Sequence, residues 1–280
     1  MKAVPCFTLI ILLGGFISCG SSRYDTKFIS TTRVTLPSIY VKDSFDIHIS
    51  FPAGYDSVSG KLPVIYYMDA NLKSGNKLRE IVDGFNKAGK PINAILVGVG
   101  HFSNYRVLRR RDFITPFIKN EQDSLISDEK NFGQSENFYF FLKKELIPFI
   151  EQNYKASPQN RTYIGHSLSG LFAFYCLLKK DRLFETHISL SPALWINYDN
   201  IYEFEKKYRK DSASLHATMY LVVGSQEKLN YILEGGRKMN KFLTEHPYDS
   251  LKFTYKEFEG ESHNSEVPLA LELLLPALYK

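Results

Sequence analysis

The chain is poor in several residues that would mark a specialised class. It has three cysteines in 280 residues, Cys6, Cys19 and Cys176, too few for a disulfide-dense scaffold. No His/Cys/Asp cluster has the spacing of a metal site, so neither a metal nor an organic cofactor is expected. Basic residues exceed acidic ones only by 35 to 30. That excess is too small and too scattered for the concentrated basic face that nucleic acid requires. Tryptophan occurs once, whereas Phe (21) and Tyr (18) are plentiful, so phenyl and phenol rings must fill much of the interior. A long hydrophobic run is also missing. Phe7 to Ile17 is interrupted by Thr8, Gly14 and Gly15 and falls short of the ~20 apolar residues of a spanning helix.

That short run, preceded by Lys2, has the form of a secretory signal over residues 1–18. Its end, Phe16-Ile17-Ser18-Cys19, resembles a bacterial lipobox in which Phe16 replaces the usual Leu. Cleavage before Cys19 would make that thiol a lipid anchor. Residues 19–26 then read as a tether and 27–280 as one domain. The expected location is the bacterial cell envelope, periplasmic or at the cell surface, touching the membrane through the anchor alone. Cys176 lies in the apolar stretch Leu171 to Leu178 and reads as a buried, inert thiol.

After the tether, Arg33 to Tyr40 and Ser44 to Phe51 read as an antiparallel hairpin turning at Lys42-Asp43. From Pro63 onward, strands and helices alternate. Strands are expected at 63–68, 93–99, 161–166, 186–190, 218–223 and 251–258. Helices are expected at 76–88, 138–154, 167–180, 230–245 and 267–279. Residues 100–132 are polar and basic and read as a long functional loop. This alternation predicts an α/β fold: a mostly parallel central sheet with helices on both faces, preceded by the hairpin. Chemistry in such sheets lies beyond the carboxyl ends of the strands.

At one strand end, Gly165-His166-Ser167-Leu168-Ser169-Gly170 joins an apolar strand to an apolar helix. This is the setting of a G-x-S-x-G nucleophile elbow, with Ser169 at the second glycine position. Ser167 is the expected nucleophile. In the chain order Ser, acid, His, the base must follow Ser167. Of His187, His216, His246 and His263, only His263 falls between the last strand and the last helix. Glu227, just past the strand ending at Gly224, is the expected acid, with Glu234, Asp199 and Glu259 as rivals. The oxyanion donors are expected to be the backbone N–H groups of Leu168 and of Ala70, in the loop after the first parallel strand. Asp69, His166, Arg110, Arg111 and Trp195 are counted as substrate contacts. The cations of Arg109 to Arg111 suit an acidic or catecholate substrate, although Arg111 beside Asp112 equally suits a structural ion pair.

Several segments together resemble the putative-esterase family of α/β-hydrolases, which includes siderophore esterases and relatives of feruloyl and acetyl-xylan esterases. They include Asp69-Ala70, Arg109 to Pro116, Gly165 to Gly170, Ser191-Pro192-Ala193-Leu194-Trp195 and Gly260 to His263. The resemblance implies a serine esterase working through an acyl-enzyme, on a siderophore or on an aryl or acetyl ester of a polysaccharide. The expected partner is therefore a small-molecule or oligosaccharide ester. The competing reading is a lipid-anchored binding protein on a catalytically silent hydrolase scaffold.

Overall fold

The computed structural model describes residues 30–116, 132–196 and 200–279. The predicted signal, Cys19, the tether and Asp199 lie outside the described residues. β1 (Ser30–Ser38) and β2 (Asp43–Phe51) form the antiparallel hairpin. Lys42 closes its turn in the left-handed region, at φ 58°. β3 (Leu62–Met68), β4 (Ile95–His101), β5 (Ala156–His166), β6 (Thr186–Leu190), β7 (Ala217–Gly224) and β8 (Leu251–Phe258) complete one sheet in the order β1-β2-β4-β3-β5-β6-β7-β8. β2 meets β4 antiparallel, and every pair from β4 to β8 is parallel.

Central strands read as unbroken apolar runs because helices cover both faces. All seven residues of β4 are buried, whereas β8 at the edge alternates between half-buried and exposed. The pleat divides β3 between two cores. Val64, Tyr66 and Met68 join a large aromatic cluster with Phe45, Phe138, Phe141 and Phe172. Ile65 and Tyr67 face α1 (Lys73–Lys87) and α8 (Glu266–Leu278) through Leu78, Val267 and Leu271. Cys176 is buried and unpaired, as its apolar surroundings imply.

Four local features differ from the sequence reading. The segment taken as a loop contains α2 (Tyr105–Phe113), whose only buried residues are Asp112 and Phe113. Without an apolar stripe it gives no helical periodicity. The helix expected at 138–154 starts earlier and is broken in register: α3 (Ser135–Phe141), a π-turn (Leu142–Leu146) and α4 (Ile147–Asn153). β5 begins at Ala156, because a bulge lets Ala156 pair with Leu62 before Arg161 pairs with Val64. Beyond α5 (Leu168–Leu177), α6 (Ile201–Asp211) buries only Ile201 and Glu205 and was not anticipated. α7 (Asn230–Glu245) falls where expected.

Candidate active site

β5 ends against α5 at Ser167, which has φ 62° and ψ −113°. A non-glycine residue there is strained, at roughly 1–3 kcal/mol, and its surroundings must hold it. The Ser167 N–H donates to the Leu190 carbonyl at 2.9 Å, and its carbonyl accepts from Leu171 and Ala193 at 3.0 and 3.1 Å. The turn is so tight that a Cβ on Gly165 would lie 2.1 Å from the Ser169 carbonyl oxygen. Glycine is therefore required two residues before the serine. Two residues after it, Ser169 has a use for its hydroxyl. Its Oγ accepts the His166 N–H at 2.9 Å and donates to Asp69 Oδ2 at 3.0 Å, tying the elbow to the loop after β3.

That loop corrects the predicted oxyanion donor. The Ala70 N–H is spent on the Val99 carbonyl at 3.1 Å, so it has no hydrogen to offer a substrate. Leu168 is the first residue of α5, where the N–H has no intrahelical acceptor.

His263 precedes α8, and Glu227 follows β7. His263 Nδ1 lies 3.0 Å from Glu227 Oε2, with the glutamate side chain fully buried and the imidazole 28% exposed. This contact requires the hydrogen on Nδ1 and leaves Nε2 as the acceptor. The rivals Glu234 and Glu259 are exposed. The His263 carbonyl accepts from His166 Nε2 at 2.5 Å, and the two rings stand 4.4 Å apart. The imidazole thus sits beside the residue preceding Ser167. Burial, reinforced by His263, lowers the pKa of His166 to about 3 and keeps it neutral.

Three predicted substrate contacts are instead structural. Asp69 is buried, and its carboxylate receives Arg109 Nε at 2.6 Å and Nη2 at 3.0 Å as well as Ser169. Arg111 donates to Asp112 at 2.7 and 3.0 Å and to Asp43 at 2.8 Å. His166 has its Nε2 hydrogen engaged with the His263 carbonyl. These groups satisfy one another because each is removed from water, where an unpaired charge or donor is costly. Arg110 is exposed and rests over the Phe132 ring at 5.6 Å. Trp195 is 40% exposed and packs on Tyr231 at 4.5 Å between ring centroids. Both remain solvent-facing.

The sequence reading missed Glu266, the first residue of α8, and gave no role to Ser191. Ser191 Oγ lies 2.5 Å from Glu227 Oε1 and 2.8 Å from Glu266 Oε1. Burial raises the pKa of Glu266 to about 8. In the sequence, an acid opening a helix looks like ordinary dipole capping, so nothing there distinguished it. Among the described residues no group of three or more His, Cys, Asp or Glu is placed to hold a metal ion. No helix among them is long and apolar enough to cross a membrane.

The doubly covered parallel sheet, with a strained serine at a strand–helix turn, defines an α/β-hydrolase. Within that class the chain belongs to the family described as "Putative esterase", matched over residues 38–266, and it is a carboxylic ester hydrolase. It is 28% identical over 237 residues to the ferri-bacillibactin esterase BesA of Bacillus subtilis, covering 80% of this chain and 78% of that one. The crystal structure of the BES protein from Bacillus cereus is similar at TM-score 0.73 and 28% identity, covering 93% of this chain and 99% of that one. An IroE-like serine hydrolase from Shewanella oneidensis shares the fold at TM-score 0.76 and 20% identity, over 89% and 80% of the two chains.

Proposed function

We propose that this esterase works through an acyl-enzyme on Ser167 and that its substrates are siderophore esters. Ser167 Oγ attacks the ester carbonyl while His263 Nε2 takes its proton. Glu227 holds the imidazole in the required tautomer and stabilises the imidazolium that forms. The oxyanion accepts from the Leu168 N–H and, in place of Ala70, from the Asn71 N–H in the same loop. Collapse breaks the bond to the alcohol, which leaves with the proton from His263. Water then attacks the acyl-enzyme, again giving its proton to His263, and the acid departs with Ser167 restored.

The observation that carries the mechanism is the 3.0 Å contact between His263 Nδ1 and buried Glu227, with His263 packed on His166, the residue before a serine held at positive φ. The substrate class rests on the likeness to BesA, and an exposed cation, Arg110, and exposed aromatic rings, Trp195 and Tyr231, follow the strand ends of the sheet in sequence. Such side chains suit aryl groups bearing negative charge.

A fluorophosphonate probe tests the mechanism. Wild type is expected to be labelled and Ser167→Ala not. A folded wild-type protein that resists the probe overturns the mechanism in favour of a silent scaffold. Turnover of linear and cyclic catecholate trilactones, compared with feruloyl and acetyl sugars, tests the substrate class. Faster cleavage of the sugar esters overturns it.

A further inference from the structure

Ser191, at the end of β6, is buried and held at φ 39°. Its hydroxyl oxygen is within hydrogen-bond distance of two buried carboxyl groups, Glu227 at 2.5 Å and Glu266 at 2.8 Å. A hydroxyl has one hydrogen to give, and an ionised carboxylate has none. If both glutamates were ionised, one would face an oxygen lone pair with no proton between them. The arrangement closes when one carboxyl is protonated and donates to Ser191 Oγ, while Ser191 donates to the other.

The surroundings decide which one. Glu227 already receives the His263 Nδ1 hydrogen on its other oxygen, at 3.0 Å, whereas the second oxygen of Glu266 is buried without a hydrogen-bond partner among the described residues. Among the described residues Glu266 has no cation in contact. His166 Nε2 is 3.7 Å away, and its hydrogen is engaged with the His263 carbonyl. Arg109 of α2 reaches the His166 carbonyl but places its guanidinium on Asp69. From α1, the residues lining the small cavity next to Val267 are Ser74, Gly75 and Leu78, none of them charged. The amides opening α8 and the Ser191 hydroxyl favour ionisation of Glu266. Burial and the charge of Glu227 oppose it, and burial dominates.

We propose that Glu266 is a positioning residue that carries a proton, donates it to Ser191 Oγ and so directs the Ser191 hydroxyl hydrogen onto Glu227. The inference rests on the reading of Ser167, His263 and Glu227 as the catalytic set. It makes the acid one end of a carboxyl–hydroxyl–carboxylate chain. Loss of the proton from Glu266 withdraws the donor from Glu227 and sets a second buried negative charge beside it, loosening the carboxylate that orients His263.

The experiment compares wild type with Glu266→Gln, Glu266→Leu and Ser191→Ala, with spontaneous ester hydrolysis subtracted. For wild type, kcat/KM should fall above pH about 8. Gln has an N–H to offer Ser191, so it should largely restore kcat at pH 7 and should abolish that alkaline fall. Ser191→Ala loses the hydrogen bond to the Glu227 carboxylate and should lower kcat about tenfold or more, with KM little changed, while Leu leaves the Ser191 hydroxyl undirected and should lower kcat less than Ser191→Ala but more than Gln. Infrared difference spectra of wild type against Glu266→Gln at neutral pH should contain a protonated-carboxyl band. A carboxylate band instead, an alkaline limb shared by wild type and Gln, or Gln as impaired as a folded Leu variant overturns the inference. Fluorophosphonate labelling separates the two levels. With Ser167 labelled, such a result removes the role of Glu266 alone. Without labelling, the catalytic reading fails and takes this inference with it.

Discussion

Replacing Arg109 with Met should loosen the site from beneath. The guanidinium makes three bonds, two to Asp69 at 2.6 and 3.0 Å and one to the His166 carbonyl at 3.2 Å. It also lies 5.8 Å from the centre of the Phe113 ring. The Arg109 side chain is 15% exposed and that of Asp69 2%, so water cannot replace the lost partner. Removing one member of a buried ion pair costs about 3–5 kcal/mol, because the other charge stays behind. In a domain of this size that lowers Tm by roughly 2–4 °C per kcal/mol. The double variant Arg109→Met/Asp69→Asn has no stranded charge, so it should recover part of the loss. Urea unfolding of these three proteins and of the single variant Asp69→Asn gives the coupling energy directly. Activity should fall as well, since the pair fastens the loop holding Asn71 to the elbow holding Ser167. The reasoning is refuted if Arg109→Met loses less than about 1 kcal/mol. A raised KM for anionic esters at unchanged stability would likewise refute it and restore Arg109 as a substrate contact.

Gly165→Ala places a methyl group 2.1 Å from a backbone carbonyl. It should cost about 1–3 kcal/mol and slow fluorophosphonate labelling; unchanged labelling would show that the elbow yields freely. His187 is buried in β6, and burial lowers its pKa from the ordinary 6.5 to about 3. Its folded pKa is depressed, so its contribution is intact above pH 6.5 and is lost as pH falls toward 3, where the unfolded chain binds a proton that the folded chain refuses. The slope is roughly 1.4 kcal/mol per pH unit in that window. Unfolding curves of His187→Leu should therefore depend less on acid than wild type, and parallel curves would contradict this. For the proposed anchor, Cys19→Ala should release the protein from the membrane fraction, and unchanged fractionation would exclude lipidation.

The alternation of strand and helix was legible because central strands such as β4 are buried on both faces and read as apolar runs. Chain order pointed to the pair Glu227 and His263, which the fold brings into contact, once Ser167 was placed at a strand end. What escaped was held by polar contacts. α2 and α6 carry few apolar residues and are secured by pairs such as Arg111–Asp112 and Arg209–Glu205, which have no periodic signature. Arg109 and Arg111 looked like cations at a mouth because their partners, Asp69 and Asp43, are 40 and 68 positions away. The Ala70 N–H could not be judged from sequence, since its acceptor is a carbonyl on the neighbouring strand. Glu266 was hidden because desolvation, which sets its protonation, is a property of the folded interior.

His166 and His263 lie 97 positions apart, yet their rings meet at 4.4 Å. During synthesis, the segment bearing Ser167 emerges well before the segment bearing the imidazole. Until residues 263–266 have been made and have docked on the sheet, the strained serine has neither the imidazole of His263 nor the carboxyl of Glu266 near it. On the proposed mechanism the nascent polypeptide is therefore an inert precursor until that point. A nick or premature stop between these two points leaves a fragment that carries the nucleophile without the means to use it.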